Sequence, residues 1–485
     1  MSRKLKVWSP LMVGLVALTW SAGAWADDGT MAGLGVKTDS VWILACAAMV
    51  FFMQAGFLVF ELGLVRKKNV AAVALKNLGD WMVVSLAFLV AGFGLMFGAS
   101  EGGWIGSSLF MADGLETATA TAGGATDLNW SFLVFQLAFC GTAATIVSGA
   151  MAERTGFKAY LLFALAMGIF IFPIFGHWVW GSLYLGEGNE GWLEALGYHD
   201  FAGASVVHGI GAWASLVGVW MAGPRLGRYG SKGELNRMSC NNLAWTALGT
   251  LMLWFGWWGF NGGSALTSGP GIGKIILVTN LAGCAAGFAG VLHAVGVQGR
   301  RNVEEKLMGS VLGGLVAVTA CADVIGPVEA ILIGLVAGPL HNMGFELIIR
   351  RLRLDDVVGA VPVHGICGAW GIMAAGIFGD IDNGNTMLQQ IGVQGLGLVV
   401  CMAWAGGVSL LVFGAIRAAV GLRVDPMSEI NGLTLSVAEG EATPDDGMDL
   451  GAGVDAPSGG LENDMDKLMA EIRAHVREGE RVDVF

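Results

Sequence analysis

Apolar runs of about twenty residues, the length that carries a helix across a bilayer, recur along most of this chain and leave few folds open to it. In hydrocarbon every backbone N–H and C=O needs a partner within the span, so such runs become helices. They lie near residues 40–65, 77–99, 130–151, 157–181, 203–222, 241–260, 272–297, 306–320, 325–348, 358–378 and 393–421, the eighth being short. Composition agrees: 54% of the 485 residues are hydrophobic and 14% charged, against about 25% charged in soluble domains. The 77 glycines suit membrane helices whose backbones approach closely. The expectation is an all-α polytopic membrane protein of eleven transmembrane helices.

Loop charge tests that count, because cytoplasmic loops collect Lys and Arg. The first connection carries Arg66, Lys67, Lys68 and Lys76. Alternate later connections hold Arg154 and Lys158, then Arg225, Arg228, Lys232 and Arg237, then Arg300, Arg301 and Lys306, then Arg350, Arg351 and Arg353. Residues 100–129 and 182–200 contain acids such as Glu101, Asp113, Glu187 and Glu190 but no Lys or Arg. The alternation never breaks. It places the mature N-terminus outside an inner, or plasma, membrane and the C-terminus in the cytoplasm.

The two ends read differently from the middle. Arg3, Lys4 and Lys6 precede an apolar stretch, and Ala24-Trp25-Ala26 follows it; this pattern reads as a signal peptide over 1–26, with an ordinary first transmembrane helix as the alternative. Residues 27–424 then form the membrane domain. From 425 the chain turns Gly-, Asp- and Glu-rich and reads as a cytoplasmic acidic tail over 425–485, mobile at first. Leu461, Met465, Leu468, Met469, Ile472 and Val476 recur at helical spacing, which suggests an amphipathic helix over 461–478. The net charge of -12 sits largely in that tail and says little about partners. Seven cysteines lie within or at the ends of apolar runs, unlike any zinc or redox spacing. No metal cluster, nucleophile–base pair or phosphate loop stands out, so neither an enzyme, a cofactor nor a nucleic-acid partner is expected.

One internal match points to a site. Asp200 to Ile210 aligns without a gap on Asp356 to Ile366, identical at seven of eleven positions including Asp200/Asp356 and His208/His364. The loop charges make the two copies antiparallel, the inverted repeat of many transporters, which bind substrate near the bilayer midplane. Eight helical residues rise about 12 Å, close to half of a hydrocarbon core about 30 Å thick. His208 and His364, entering from opposite sides, should therefore meet near the centre. An ionisable group there is costly and functional by default, whereas His177 and His293 read as interhelical hydrogen-bonding residues. Asp200 and Asp356 each begin a helix and can cap its free N–H groups.

These residues carry a resemblance. Asp200-Phe201-Ala202-Gly203 with Val206-Val207-His208 resembles the signature of the Amt/Mep/Rh ammonium transporter family, on its bacterial Amt branch. Further likenesses are Phe135-Gln136-Leu137-Ala138-Phe139, His177-Trp178-Val179-Trp180-Gly181, Trp258-Gly259-Phe260-Asn261-Gly262-Gly263-Ser264 and Val363-His364-Gly365-Ile366-Cys367-Gly368. The likeness runs from about residue 40 to 424. It implies a homotrimer in the lipid bilayer, each subunit with its own pore between two inverted five-helix halves and a bracing eleventh helix. It also implies ammonium recognition by Phe139, Trp180 and Ser264, a gate of stacked Phe139 and Phe260, and a pore lined by His208 and His364 that passes ammonia and relays its proton, with Asp200 as structural support.

Two departures matter. Ala204 stands where the family has Gly or Ser. In the tail, Asn431 to Gly440 departs from the family's regulatory stretch, with Thr434 in place of Asp and no His-Gly-Glu after it, which puts regulation by a PII-type signalling protein in doubt. The alternative to a conducting channel is an ammonium sensor with the same site and little flux, signalling through its tail.

Overall fold

The computed structural model describes residues 31–116 and 128–433. The segment read as a signal peptide and the proposed helix at 461–478 lie outside the described residues. Within them the chain is helical, and β-pairing is limited to three isolated bridges.

Eleven long helical rods appear, in the expected order: α1 (Met31–Leu64), α2 (Lys67–Phe97), α3 (Asn129–Ala150), α4 (Phe157–Trp180), α5 (Ala204–Ala222), α6 (Leu243–Gly263), α7 (Ile272–Gly296), α8 (Val303–Thr319), α9 (Pro327–Arg351), α10 (Val361–Phe378) and α11 (Met387–Val420). Nine of them are long and apolar enough, by length and composition, to cross a membrane. The other two are α6, whose apolarity is diluted by Trp245, Trp254, Trp257, Trp258 and several glycines, and α8, with 17 residues.

The rods pack as two sets of five. α6, the first helix of the second set, lies along α1, the first of the first set. Small residues permit this: a methyl group on Gly249 would overlap the Phe60 backbone, and one on Gly256 the Met53 side chain. Dispersion between such closely apposed backbones is the main force holding helices together in lipid. α11 crosses both sets, touching α5 from one and α10 from the other, and is the least buried of the candidate spans. At 34 residues it is about 51 Å long and must tilt to stay within a bilayer.

One expectation about charge is corrected. Lys76 is not a loop residue. α2 begins about ten residues before the expected 77, and Lys76 is 2% exposed within it. Its charge is tolerated there because Glu61 and Asp80 lie close by, a compensation that an apolar-run criterion cannot see. The described residues after 424 stay packed on the bundle. Pro426–Asn431 forms a short helix capped by Asp425, and Glu429 is buried, bonded to Arg423 (2.6 Å) and to the Leu226 N–H (2.7 Å).

The basic loops meet on one face of the bundle. Glu153 accepts from Arg66, from Arg225 (2.5 Å) and from Asn69 (2.7 Å), and Arg225 also forks onto Asp355 (2.7 and 2.9 Å). Burial alone would raise the Glu153 carboxyl, but Arg225 and Arg66 hold it below the usual carboxylate range. Buried pairs of this kind tie the loops after α1, α3, α5 and α9 into one plate.

Candidate functional site

Each copy of the repeat builds the same device. Asp200 Oδ1 accepts the Gly203 and Ala204 N–H groups at 3.0 and 2.8 Å, and Oδ2 accepts Ser205 N–H, Val206 N–H and the Ser205 hydroxyl at 2.7, 3.0 and 2.6 Å. Asp356 accepts Ala360 and Val361 N–H at 3.0 and 2.8 Å. Both helices then start with a wide, π-type turn, Ala204–Gly209 and Val361–Ile366, and each turn carries its histidine. Such turns shift side-chain register and are frequent at functional sites. The elements are antiparallel, and His208 Nδ1 meets His364 Nδ1 at 3.1 Å. One imidazole N–H donates to the other ring's lone pair, so one outer nitrogen keeps a proton and the other can accept one.

The remaining site residues line up on one side of this pair. The His208 ring stacks on Phe260 (5.2 Å, 25°), Phe260 on Phe139 (4.0 Å, 16°), and Phe139 meets Trp180 edge-on at 6.3 Å. The Trp180 indole N–H donates to the Asp200 carbonyl at 2.7 Å, which fixes the ring face. Gly203 is required beside it: its φ is +103°, and a Cβ there would lie 3.0 Å from the Trp180 ring. Ser264 donates its hydroxyl proton to the Phe260 carbonyl at 2.8 Å, leaving its oxygen lone pairs free to accept. Phe139, Trp180 and Ser264 share a small cavity with Gln136 and Phe201.

The site residues expected from the sequence therefore fall in one column, buried except at the half-buried Ser264. His177 and His293 take the interhelical role: His177 bonds the Met96 carbonyl (2.8 Å) and Ser100 (2.9 Å), and His293 faces Asn342 at 3.5 Å. Sequence reasoning missed Trp257, stacked on His208 at 5.1 Å and pinned by Thr319 at 2.9 Å, and Phe57, 6.1 Å from His364. Trp257 had a signal, since Trp257, Phe260 and Ser264 fall on one face of α6 at helical spacing.

A model of the Ammonium Transporter Family matches residues 41–442. The chain belongs to the ammonium transporter family. Within it, the chain is similar to ammonium transporter Amt2 of Archaeoglobus fulgidus, 39% identical over 426 residues that cover 84% of this chain and 89% of that protein. Among solved structures it resembles one described as a sensor Amt protein, with a TM-score of 0.80 and 40% identity over 84% of this chain and 100% of that one. It also resembles Mep2 of Saccharomyces cerevisiae, with a TM-score of 0.72 and 25% identity over 80% and 87%. As an ammonium transporter family member the protein is a multi-pass membrane protein whose surroundings are a lipid bilayer.

Beside this column, in the loop ahead of Asp200, His199 Nε2 lies 3.2 Å from Asp323. Burial lowers its basicity, but the hydrogen bond and charge of Asp323, with Asp200 behind, raise its pKa above the ordinary 6.5. A raised histidine pKa stabilises the folded state fully below the unfolded value, and that contribution fades as pH rises through the folded value. His199→Gln should therefore lower the unfolding temperature at pH 5.5 and leave it unchanged at pH 9. The pair is partly exposed, so the expected effect is about 1 kcal/mol or less. A pH-independent difference between the two proteins would contradict the assignment.

Proposed function

We propose that the protein conducts ammonium across the plasma membrane, capturing the ion at Phe139, Trp180 and Ser264, removing its proton at the Phe139–Phe260 gate, and passing ammonia along His208 and His364. The observation that carries this reading is the unbroken buried column from Trp180 to His364. An aromatic face attracts a cation by roughly 0.5–2 kcal/mol, and the Ser264 oxygen is free to accept an N–H. Beyond the rings the column is buried and walled by Trp257 and Phe57. The idealised cost of moving an ion into such an interior is of order 20 kcal/mol, and full burial lowers an amine's pKa by up to about 3–5 units. Ammonium thus sheds its proton at the gate. The proton passes through the linked imidazoles, which accept on one side and donate on the other.

In this reading the basic face is cytoplasmic, the Trp180 end of the column is external, and the protein works as a homotrimer. The likeness to a sensor Amt protein supports a second reading, in which the same column binds ammonium with little flux and a partner reads the occupied state at the basic face. Uptake of labelled methylammonium into reconstituted vesicles separates the two. Conduction predicts uptake that saturates. It also predicts a 5- to 30-fold rise in the half-saturating concentration for Trp180→Ala, as expected for losing roughly 1–2 kcal/mol of cation attraction. Absence of uptake, with binding retained, favours the sensor. Uptake unchanged by Trp180→Ala removes the recognition role.

A further inference from the structure

A second buried polar cluster adjoins the column, and the conduction mechanism above makes no use of it. Glu61 from α1, with Lys76 and Asp80 from α2, is almost completely buried, as is Tyr160 from α4. Glu61 lines a cavity that His364 also lines, with Phe57 and Thr145 in the same wall. The cavity has about 20 Å³ of room for a water-sized molecule, enough for one water or one ammonia. Gly149 keeps that space open on the carboxylate side, since a methyl group there would lie 3.0 Å from Glu61 Oε1. A second cavity, also walled by Phe60 and Val358, continues past Glu305 and His341. A larger one follows, which shares Glu305 and Phe345 and opens among Arg225, Arg228 and Arg237 on the basic face. Glu61 therefore stands where the column gives way to the exit.

Charge counting assigns its state. The cluster holds two carboxyls and one ammonium, and an uncompensated charge in this setting is costly. Asp80 Oδ2 accepts the Tyr160 hydroxyl at 2.5 Å, the role of a carboxylate oxygen. Lys76, one turn earlier on the same helix, lies close to both carboxyls while its ammonium rests on the Tyr160 ring at 4.6 Å. Arg154, the other cation near Lys76, is committed to the Ala150, Ala152 and Asp355 carbonyls. Glu61 receives the Asn77 amide at 3.0 Å on Oε2 and shares Lys76 with Asp80, so two carboxyls have one ammonium between them. One proton is left for the pair, and Glu61 is the carboxyl that opens onto the cavity.

We infer that Glu61 is the proton donor at the exit of the pore, handing its proton to ammonia that emerges past His364. The carboxyl O–H bond breaks, an N–H bond forms, and ammonium leaves toward the basic face. The carboxylate is then reprotonated by the histidine pair, which holds the proton shed by the incoming ammonium, so each cycle closes with one ammonium entering and one leaving. This rests on the conduction reading, and it explains why an acid is retained beside a pore that excludes ions.

Glu61→Gln and Glu61→Asp test it. Gln preserves the volume and the acceptor for Asn77, so a purely structural Glu61 predicts little change. A proton donor predicts at least a tenfold loss of ammonium-driven current in vesicles, since proton transfer by a positioned side chain contributes typically 10²–10⁴-fold. The half-saturating external ammonium concentration should stay as in the wild type, and Asp should recover most of the current with a displaced pH profile. Infrared spectroscopy of the purified protein gives a readout that does not depend on transport. The wild type should show the C=O stretch of a protonated carboxyl that responds to ammonium and disappears in Glu61→Gln. Loss of that band with unchanged current, or no such band, overturns the assignment. Vesicles without wild-type current would count against the conduction reading alone, and the band would still decide whether Glu61 carries the proton.

Discussion

Ammonium-driven current through the His208→Ala/His364→Ala double variant is expected to be no smaller, within a few-fold, than through either single variant, each of which should lose roughly a hundredfold or more. The reason is the 3.1 Å Nδ1–Nδ1 bond. A proton can cross the pair only if both rings are present, because one must accept while the other donates. Removing either breaks the same link, so the second removal has little left to break. Residues acting as one unit are non-additive in this way. Independent sites would instead multiply to a loss of order ten-thousandfold. A carboxylate in place of one imidazole, as in His208→Glu, should restore flux with weaker discrimination against potassium, because a fixed negative charge lets a cation pass without shedding a proton. Current and uptake of ammonium, methylammonium and potassium, measured in the same vesicles for all four histidine combinations, distinguish these outcomes. Multiplicative losses would exclude a shared relay.

Replacement of Asp200 by Ala should produce the largest loss of stability among the site residues. It removes the acceptor of four backbone N–H groups and one hydroxyl at a position that is 3% exposed. A buried donor without a partner costs about 1–3 kcal/mol, and water entering the gap recovers part of the sum, so a net loss of roughly 3–5 kcal/mol is expected. Asp200→Asn should rescue less than half, because its amide nitrogen would face the Ser205 and Val206 N–H groups that Oδ2 now accepts. Asp356→Ala, which frees two N–H groups rather than four, should cost about half as much. Thermal unfolding in detergent gives the ranking. Hydrogen exchange at residues 203–206 shows whether the cap itself has opened. Equal stabilities for the Asp200 and Asp356 variants would mean that capping is not what these residues contribute. Trp180 should also loosen in Asp200→Ala, because its indole is held by the Asp200 carbonyl, so the orientation of the Trp180 ring and the helix cap are linked through a single residue.

The histidine pair was legible because two rare residue types recur at one spacing in a chain where they are otherwise scarce, and because alternating loop charge gives the two copies opposite directions. Neither inference needs side-chain coordinates. Trp257 was half-legible, sharing a face of α6 with Phe260 and Ser264. The Glu61, Lys76 and Asp80 cluster was not. Lys76 in particular reads as a loop cation in one dimension, because hydropathy treats each charge separately and cannot record that an acid on the neighbouring helix lies beside it. The same holds for the packing of the residues that follow 424. An acidic, Gly-rich segment gives no sign that Glu429 will find Arg423 and the Leu226 N–H.

What the sequence determined by itself was the helical, membrane-spanning architecture, the order of the spans, and the identity of the residues that meet in the column. These follow from properties summed along the chain: backbone groups that hydrocarbon obliges to pair locally, apolar length, and the sign of loop charge. What only the tertiary structure decided was which of those residues touch. The 4.0 Å stack of Phe139 on Phe260, the 3.1 Å contact of His208 with His364, and the cavity that Glu61 shares with His364 depend on helix crossings where glycine lets backbones close in. They also depend on two wide turns that rotate the histidines inward. Those are contacts between distant segments, set by packing shape and by mutual compensation of buried charge, and neither quantity belongs to any stretch of sequence taken alone.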